Sequence, residues 1–254
     1  MEIKTYKKDA FYSYTLGAFP TIELLKTHPR EVIKIIIHSS FKNEEVINMI
    51  NNLRGKAEMV INDKLLDKLS NKDNCYVAAI FNKYKTKLDA SENHLVMVNP
   101  MNMGNFGTII RSALGFSFNQ IAIIRPAIDI FDPKVLRAAM GAFFSCNIVY
   151  FNTIEEYKEA FPNHKLHSFM LQTDNILQET KIDFSTPISL VFGNESSGLP
   201  DTYLDENSIR IEHKDSIDSL NLPTAVGIAL YEVDKQKNNW FRMIKRHLSS
   251  LRCT

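Results

Sequence analysis

The 254-residue chain is poor in cysteine, in long apolar runs and in net charge. Its three cysteines, Cys75, Cys146 and Cys253, stand far apart, which excludes a disulfide framework and a cysteine-based metal cluster. Uninterrupted apolar stretches such as 121–124 fall far short of the roughly 18 residues of a membrane span, so no membrane partner is expected. The opening MEIKTYKKDAFYSY lacks the apolar core of a secretory leader, and a cytoplasmic location is the expectation. Thirty Lys+Arg face 29 Asp+Glu, a formal net charge of +1, which argues against coating nucleic acid by bulk electrostatics. Neither GxGxxG nor GxxxxGKS/T occurs, so an ordinary nucleotide-dependent α/β enzyme lacks its phosphate loop. The pair His164 and His167 has no third ligand near it in sequence and reads as a surface pair, not a metal site.

What is present is ordinary for a globular protein: 44% hydrophobic and 23% charged residues, in a length that suits two modest domains. The charge is uneven. Residues 1–90 carry 15 basic and 11 acidic side chains, whereas 91–254 carry 15 and 18. The segment 235–254 holds six Lys/Arg and no carboxylate, which reads either as a solvated helix end or as a basic surface for RNA.

The first 90 residues predict a helix over 11–25 and then a small α/β unit. Its strands are VIKIII (32–37), AEMVI (57–61) and CYVAAIF (75–81), with helices after Asn43 and over 62–69. The polar stretch 82–93 suits a linker, so the expected domains are 1–90 and 91–254. The second alternates apolar strands at 94–98, 120–124, 146–151, 167–171, 188–192 and 208–211 with helical stretches. That alternation predicts an α/β fold with a mostly parallel sheet. Asp132-Pro133 and Thr153-Ile-Glu-Glu156 are helix-start signals.

In such sheets ligands bind beyond the carboxyl ends of the strands, and three segments there are unusual. After 94–98, a Gly/Asn-rich turn runs into a helix expected to begin near Phe106, with Asn105 as a cap or a contact at its mouth. Arg111 follows on that helix; a capped helix with a solvated arginine is the plainer reading. After 188–192, Gly193 and Gly198 bracket Glu195 and two serines, although a turn capped by Ser197 or Asp201 accounts for part of this. Third, Ser219-Leu220-Asn221 precedes a long helix expected over 224–245, which Ser219 or Asn221 can cap.

Taken in order, these segments resemble the SpoU/TrmH branch of the SPOUT superfamily, RNA ribose 2′-O-methyltransferases. The matching motifs are Asn105-x-Gly107-x-x-x-Arg111, LVFGNESSGLP (190–200) and Ser219-Leu220-Asn221-Leu222-Pro223-Thr224-Ala225. The resemblance implies a deep trefoil knot in the C-terminal part of the sheet and a homodimer with active sites completed across the interface. It implies a ribosomal-protein-like RNA-binding unit at 1–90. S-adenosylmethionine (SAM) is the implied methyl donor, held largely by backbone at Gly193, Ile211 and Leu220, with no metal. Arg111 matches the family's essential arginine, and Asn105, Glu195, Ser219 and Asn221 are expected to orient the ribose and support the pocket. Two departures stand out: the family's I-P-M-x-G is Ile211-Glu-His-Lys-Asp215 here, and Pro223 follows Leu222. The expected substrate is structured RNA, ribosomal before transfer RNA. The alternatives are a SPOUT enzyme that methylates a base nitrogen and a non-catalytic RNA-binding protein.

Overall fold

The computed structural model describes residues 3–52, 57–70, 75–214 and 216–251, with side chains as far as residue 239. Cys253 and most side chains of the basic segment 235–254 lie outside the described residues, as does Asp215. Two compact units emerge, and they are not consecutive in sequence. The first gathers Met1–Thr86, Asn102–Arg111 and Ile128–Cys146; the second gathers Lys87–Met101, Ser112–Ala127 and Asn147–Thr254.

In the first unit β1 (Tyr12–Tyr14), β2 (Val32–Ile37), β3 (Glu58–Ile61) and β4 (Val77–Asn82) form a sheet in the order β1-β4-β2-β3. The helix expected over 11–25 is instead β1 followed by α1 (Ala18–Thr27). Tyr12 and Tyr14 pair antiparallel with Asn82 and Ile80, a partnership seventy residues away that overrides the local helical spacing. Gly17, at φ +99°, makes the corner between the two. The helices α2 (Glu44–Asn52) and α3 (Asp63–Ser70) start as expected, because Asn43 and Asn62 each accept a backbone N–H at 3.0 Å.

The later segments of this unit are α4 (Met103–Gly115), of which residues 103–111 belong here, α5 (Pro133–Ala138) and a 3₁₀ turn, Ala142–Ser145. Asp132 caps α5 by accepting the Lys134 N–H at 2.8 Å, ahead of Pro133. Gly107 is where α4 and α5 meet: a Cβ there would stand 2.4 Å from the Ala138 Cβ and 2.7 Å from the Val135 carbonyl. Phe131, Phe143 and Phe144 pack with Phe81 and Tyr84 of the N-terminal segment, ring centroids 5.3–6.3 Å apart. Ser13 donates to the Phe131 carbonyl, and Tyr6 donates to Asp129, which also pairs with Lys83 at 3.5 Å.

The second unit is a five-stranded sheet of β5 (His94–Val98), β6 (Gln120–Ile124), β7 (Asn147–Phe151), β8 (Lys165–Ser168) and β9 (Ile188–Phe192). The order is β7-β6-β5-β9-β8, and every neighbouring pair is parallel. The three central strands are buried along their whole length, as strands covered on both faces must be. The segment 208–211, expected as a strand, makes only isolated bridges, Ile209 to Phe169 and Arg210 to Ile176. α6 (Ile154–Ala160) is capped by Thr153, and α7 (Leu222–Leu251) is longer at both ends than expected.

The pair His164 and His167 is buried, not superficial. His164 sits in a chain of contacts at the amino ends of the strands. Its Nε2 donates to the Ala90 carbonyl (3.0 Å), and Nδ1 meets Ser189 Oγ (2.9 Å). Ser189 meets Tyr157 (2.6 Å), and Tyr157 meets His94 (2.8 Å). Sequence spacing suggested an exposed pair because these partners lie 25 to 74 residues away.

Candidate active site

Strand order reverses between β5 and β9, which places the switch point of the parallel sheet beside the loops that follow these strands. A cavity of about 260 Å³ opens beyond the carboxyl ends of β8 and β9. Phe169, just past the end of β8, and Phe192, the last residue of β9, stack face to face at 4.3 Å and 8° and form one wall. Ile209, Ile211, Leu220 and Leu222 add apolar surface, while Glu195, Ser196, Ser197 and Ser219 bring polar groups.

The loop after β9 folds on itself. Asn194 and Gly198 exchange backbone hydrogen bonds at 3.2 and 3.0 Å, with Gly198 at φ +65°. This closure is what requires Gly193: a Cβ there would fall 2.2 Å from the Gly198 carbonyl carbon and 2.4 Å from the Leu199 nitrogen. Asn194 is the pivot. Its Oδ1 accepts the N–H groups of Ser196 (2.8 Å) and Ser197 (3.4 Å), an Asx turn, and its Nδ2 donates to the Asn99 carbonyl at 2.8 Å. Glu195, half-buried, accepts the Met101 N–H at 3.4 Å. The turn after β5 and the turn after β9 are thus bound together. Asn99 occupies the left-handed region at φ 51°, which asparagine tolerates.

The opposite wall is laced to β8. Ile209 donates to the Ser168 carbonyl (2.9 Å), and Met170 donates to the Ile209 carbonyl (3.0 Å). His167 supports this lacing by donating from Nδ1 to the Asn207 carbonyl at 3.1 Å. Burial pushes its imidazole below the ordinary histidine range, which favours the neutral form.

Of the residues singled out from sequence, Glu195, Ile211, Ser219 and Leu220 line this one cavity. Gly193 does not line it; its role is the close approach to Gly198 and Leu199. Asn221 is exposed beside it, its carbonyl accepting the Ala225 N–H at 3.0 Å at the start of α7. Asn105 and Arg111 belong to the first unit. The helix carrying them begins at Met103, not near Phe106. Asn102 is its cap, accepting the Asn105 N–H through Oδ1 at 2.9 Å, so Asn105 lies within the first turn with its side chain released from capping. Arg111 is exposed, and no carboxylate pairs with it among the described residues. Sequence reasoning missed Phe169, Phe192 and Asn194. Asn194 carried a signal, an asparagine inside a small polar turn at a strand exit. Among the described residues no group of three or more His, Cys, Asp or Glu is placed to hold a metal ion.

A parallel α/β sheet with a partly apolar cavity at its switch point is the arrangement in which such folds hold a small ligand in the loops beyond their strands. The chain belongs to the SpoU rRNA Methylase family, whose model matches residues 92–231, and family membership makes it an RNA-methylating enzyme. A Listeria monocytogenes protein described as a putative tRNA (cytidine(34)-2′-O)-methyltransferase is 31% identical over 153 residues, 58% of this chain and 89% of that one. The Streptomyces viridochromogenes 23S rRNA (uridine(2479)-2′-O)-methyltransferase is 30% identical over 145 residues, 54% of this chain and 50% of that one. The crystal structure of an AdoMet-bound rRNA methyltransferase from Sinorhizobium meliloti shares the fold. Its TM-score is 0.76 at 24% identity, over 89% of this chain and 87% of that one.

Proposed function

We propose that the chain transfers a methyl group from SAM to a ribose 2′-hydroxyl of structured RNA, ribosomal RNA before transfer RNA. The observation that carries this reading is the cavity enclosed by the Glu195 loop, Ile211 and Leu220. The residues present fit SAM. Stacked Phe169 and Phe192 with Ile209 and Ile211 suit a flat adenine, and the turns at 194–199 offer backbone donors and acceptors. Among the described residues Glu195 supplies the one carboxylate of the lining, which suits a positive sulfonium. When bound, SAM supplies an electrophilic methyl on that sulfur.

The chain's own residues position the reactants. Ile211 and Leu220 hold the cofactor, and Gly193 acts by letting the loop close. Glu195, Ser219 and Asn221 support the pocket and, with Asn105, orient the ribose. As the O–CH₃ bond formed, the S–CH₃ bond would break to leave a neutral thioether, and the hydroxyl proton would pass to water or an RNA phosphate oxygen. Arg111 is ill suited to take that proton, since a guanidinium stays charged. It clamps an RNA phosphate or stabilises the developing alkoxide. Its exposure and lack of an ion pair among the described residues support that role. The same reading includes a trefoil knot threaded through the loops around the cavity, a cytoplasmic homodimer, and RNA substrate binding by residues 1–90. The relatives include a tRNA and a 23S rRNA 2′-O-methyltransferase, and the order of ribosomal before transfer RNA rests on the N-terminal unit that accompanies the catalytic segment.

The test is transfer of labelled methyl from SAM to total RNA, followed by nucleoside analysis. A 2′-O-methylnucleoside supports the proposal. A methylated base establishes base methylation instead, and RNA binding without measurable SAM binding establishes a non-catalytic protein.

A further inference from the structure

Within the first unit three exposed apolar side chains converge on one groove of about 320 Å³: Phe19, Tyr76 and Met140, 66%, 43% and 42% exposed. Phe41, Gly17 and Arg137 also line it. Phe19 lies in the first turn of α1, just beyond Gly17, whose absent Cβ would meet nothing within 4 Å, so the backbone there faces open space. Tyr76 precedes β4 and is braced edge-on by His38, centroids 5.3 Å apart at 88°.

Met140 is held at φ 51°, a region that side chains other than Gly, Asn and Asp rarely occupy. The turn is locked by Gly141 at φ 91°, where a Cβ would stand 2.7 Å from Glu23 Cγ and 3.3 Å from the Phe19 carbonyl. A disfavoured backbone thus presents an apolar side chain to solvent beside two aromatic rings. Such local strain gathers at functional positions.

Arg137 supplies the second chemistry. It is half-buried and lines both this groove and an adjoining cavity of about 570 Å³, yet no carboxylate pairs with it among the described residues. Asp132, on the adjoining cavity, is engaged in capping α5. Exposed rings call for a flat apolar partner, and an unpaired half-buried guanidinium calls for an anion. An unpaired nucleotide joins the two in one ligand. An aliphatic side chain of a protein partner would leave the guanidinium unanswered.

We propose that this groove binds one unpaired nucleotide of the RNA substrate, its base against Phe19 and Tyr76 and its phosphate on Arg137. The inference rests on the reading of the chain as an RNA enzyme and adds a site outside the cofactor cavity. The test uses the full chain and a short single-stranded RNA carrying 2-aminopurine, whose fluorescence is quenched by stacking. The wild type is expected to quench it. The Phe19→Ala, Tyr76→Ala double variant is expected to lose the quench and about tenfold in RNA affinity, whereas Phe19→Trp retains both. Arg137→Gln weakens binding more than Arg137→Lys. SAM affinity, measured by calorimetry, and the circular-dichroism spectrum are unchanged in all of them, which shows that the variants are folded. Wild-type quench and affinity in the double variant overturn the groove alone. A wild-type chain that binds SAM but no RNA overturns the groove and the RNA reading together.

Discussion

Arg111 and His94 show how differently two charged or chargeable side chains are used. Arg111 stands exposed and unpaired on α4 among the described residues, available to an incoming anion. Arg111→Ala is expected to lower methyl transfer by at least about 100-fold, the scale of losing one transition-state donor. SAM affinity should stay close to wild type, so turnover and calorimetry together check the assignment. His94 is fully buried, and burial pushes its pKa down to about 4. His164 and His167 shift in the same direction for the same reason. An unfolded histidine titrates near 6.5, so between about 6.5 and 4 the unfolded chain binds the proton that the folded chain refuses. Stability is therefore full above this window and is lost as pH falls through it, by on the order of 3 kcal/mol from His94. Urea midpoints measured from pH 7.5 down to 4.5 should fall, and His94→Gln should flatten the curve. Arg111 and its motif were legible in the sequence. The burial of His94, His164 and His167 was not, because partners such as Tyr157 for His94, Ala90 for His164 and Asn207 for His167 are distant in sequence.

At the scale of the element, the motif glycines proved to be about packing between segments. Gly107 stood out in the sequence only as a motif position; in the structure it permits α5 to lie against α4. Gly107→Ala forces a Cβ against the Ala138 side chain and the Val135 and Ala139 backbone, which cannot retreat as a flexible tip would. Overpacking of this kind costs about 1–3 kcal/mol, and a drop of several degrees in Tm, with SAM affinity little changed, is the expected result. The buried strands were readable because β-branched runs such as VIKIII and QIAII need no knowledge of their partners. β1 was not, since three residues become a strand only when β4 is beside them. Segment 208–211 failed in the opposite sense: its apolar pattern is real, but it binds the exit of β8 at single points and lines the cavity.

For the whole molecule, the near-balance of 30 basic and 29 acidic residues bears on how RNA is held. Binding through two or three phosphates implies a loss of roughly tenfold in affinity between 50 and 200 mM salt, against several orders of magnitude for a coating protein. Filter binding across that range checks this, and a slope of many charges would contradict it. The compact units add a consequence for modularity. Residues 128–146 pack their phenylalanines on Phe81 and Tyr84, so the N-terminal segment carries half of a shared aromatic core. Deleting 1–86 would leave Phe131, Phe143 and Phe144 uncovered, and the shortened chain would aggregate before it could be assayed. The leading segment is therefore no detachable cassette: an exchange with another lineage must bring its own matching aromatic half, which ties the two stretches of the gene to one evolutionary fate.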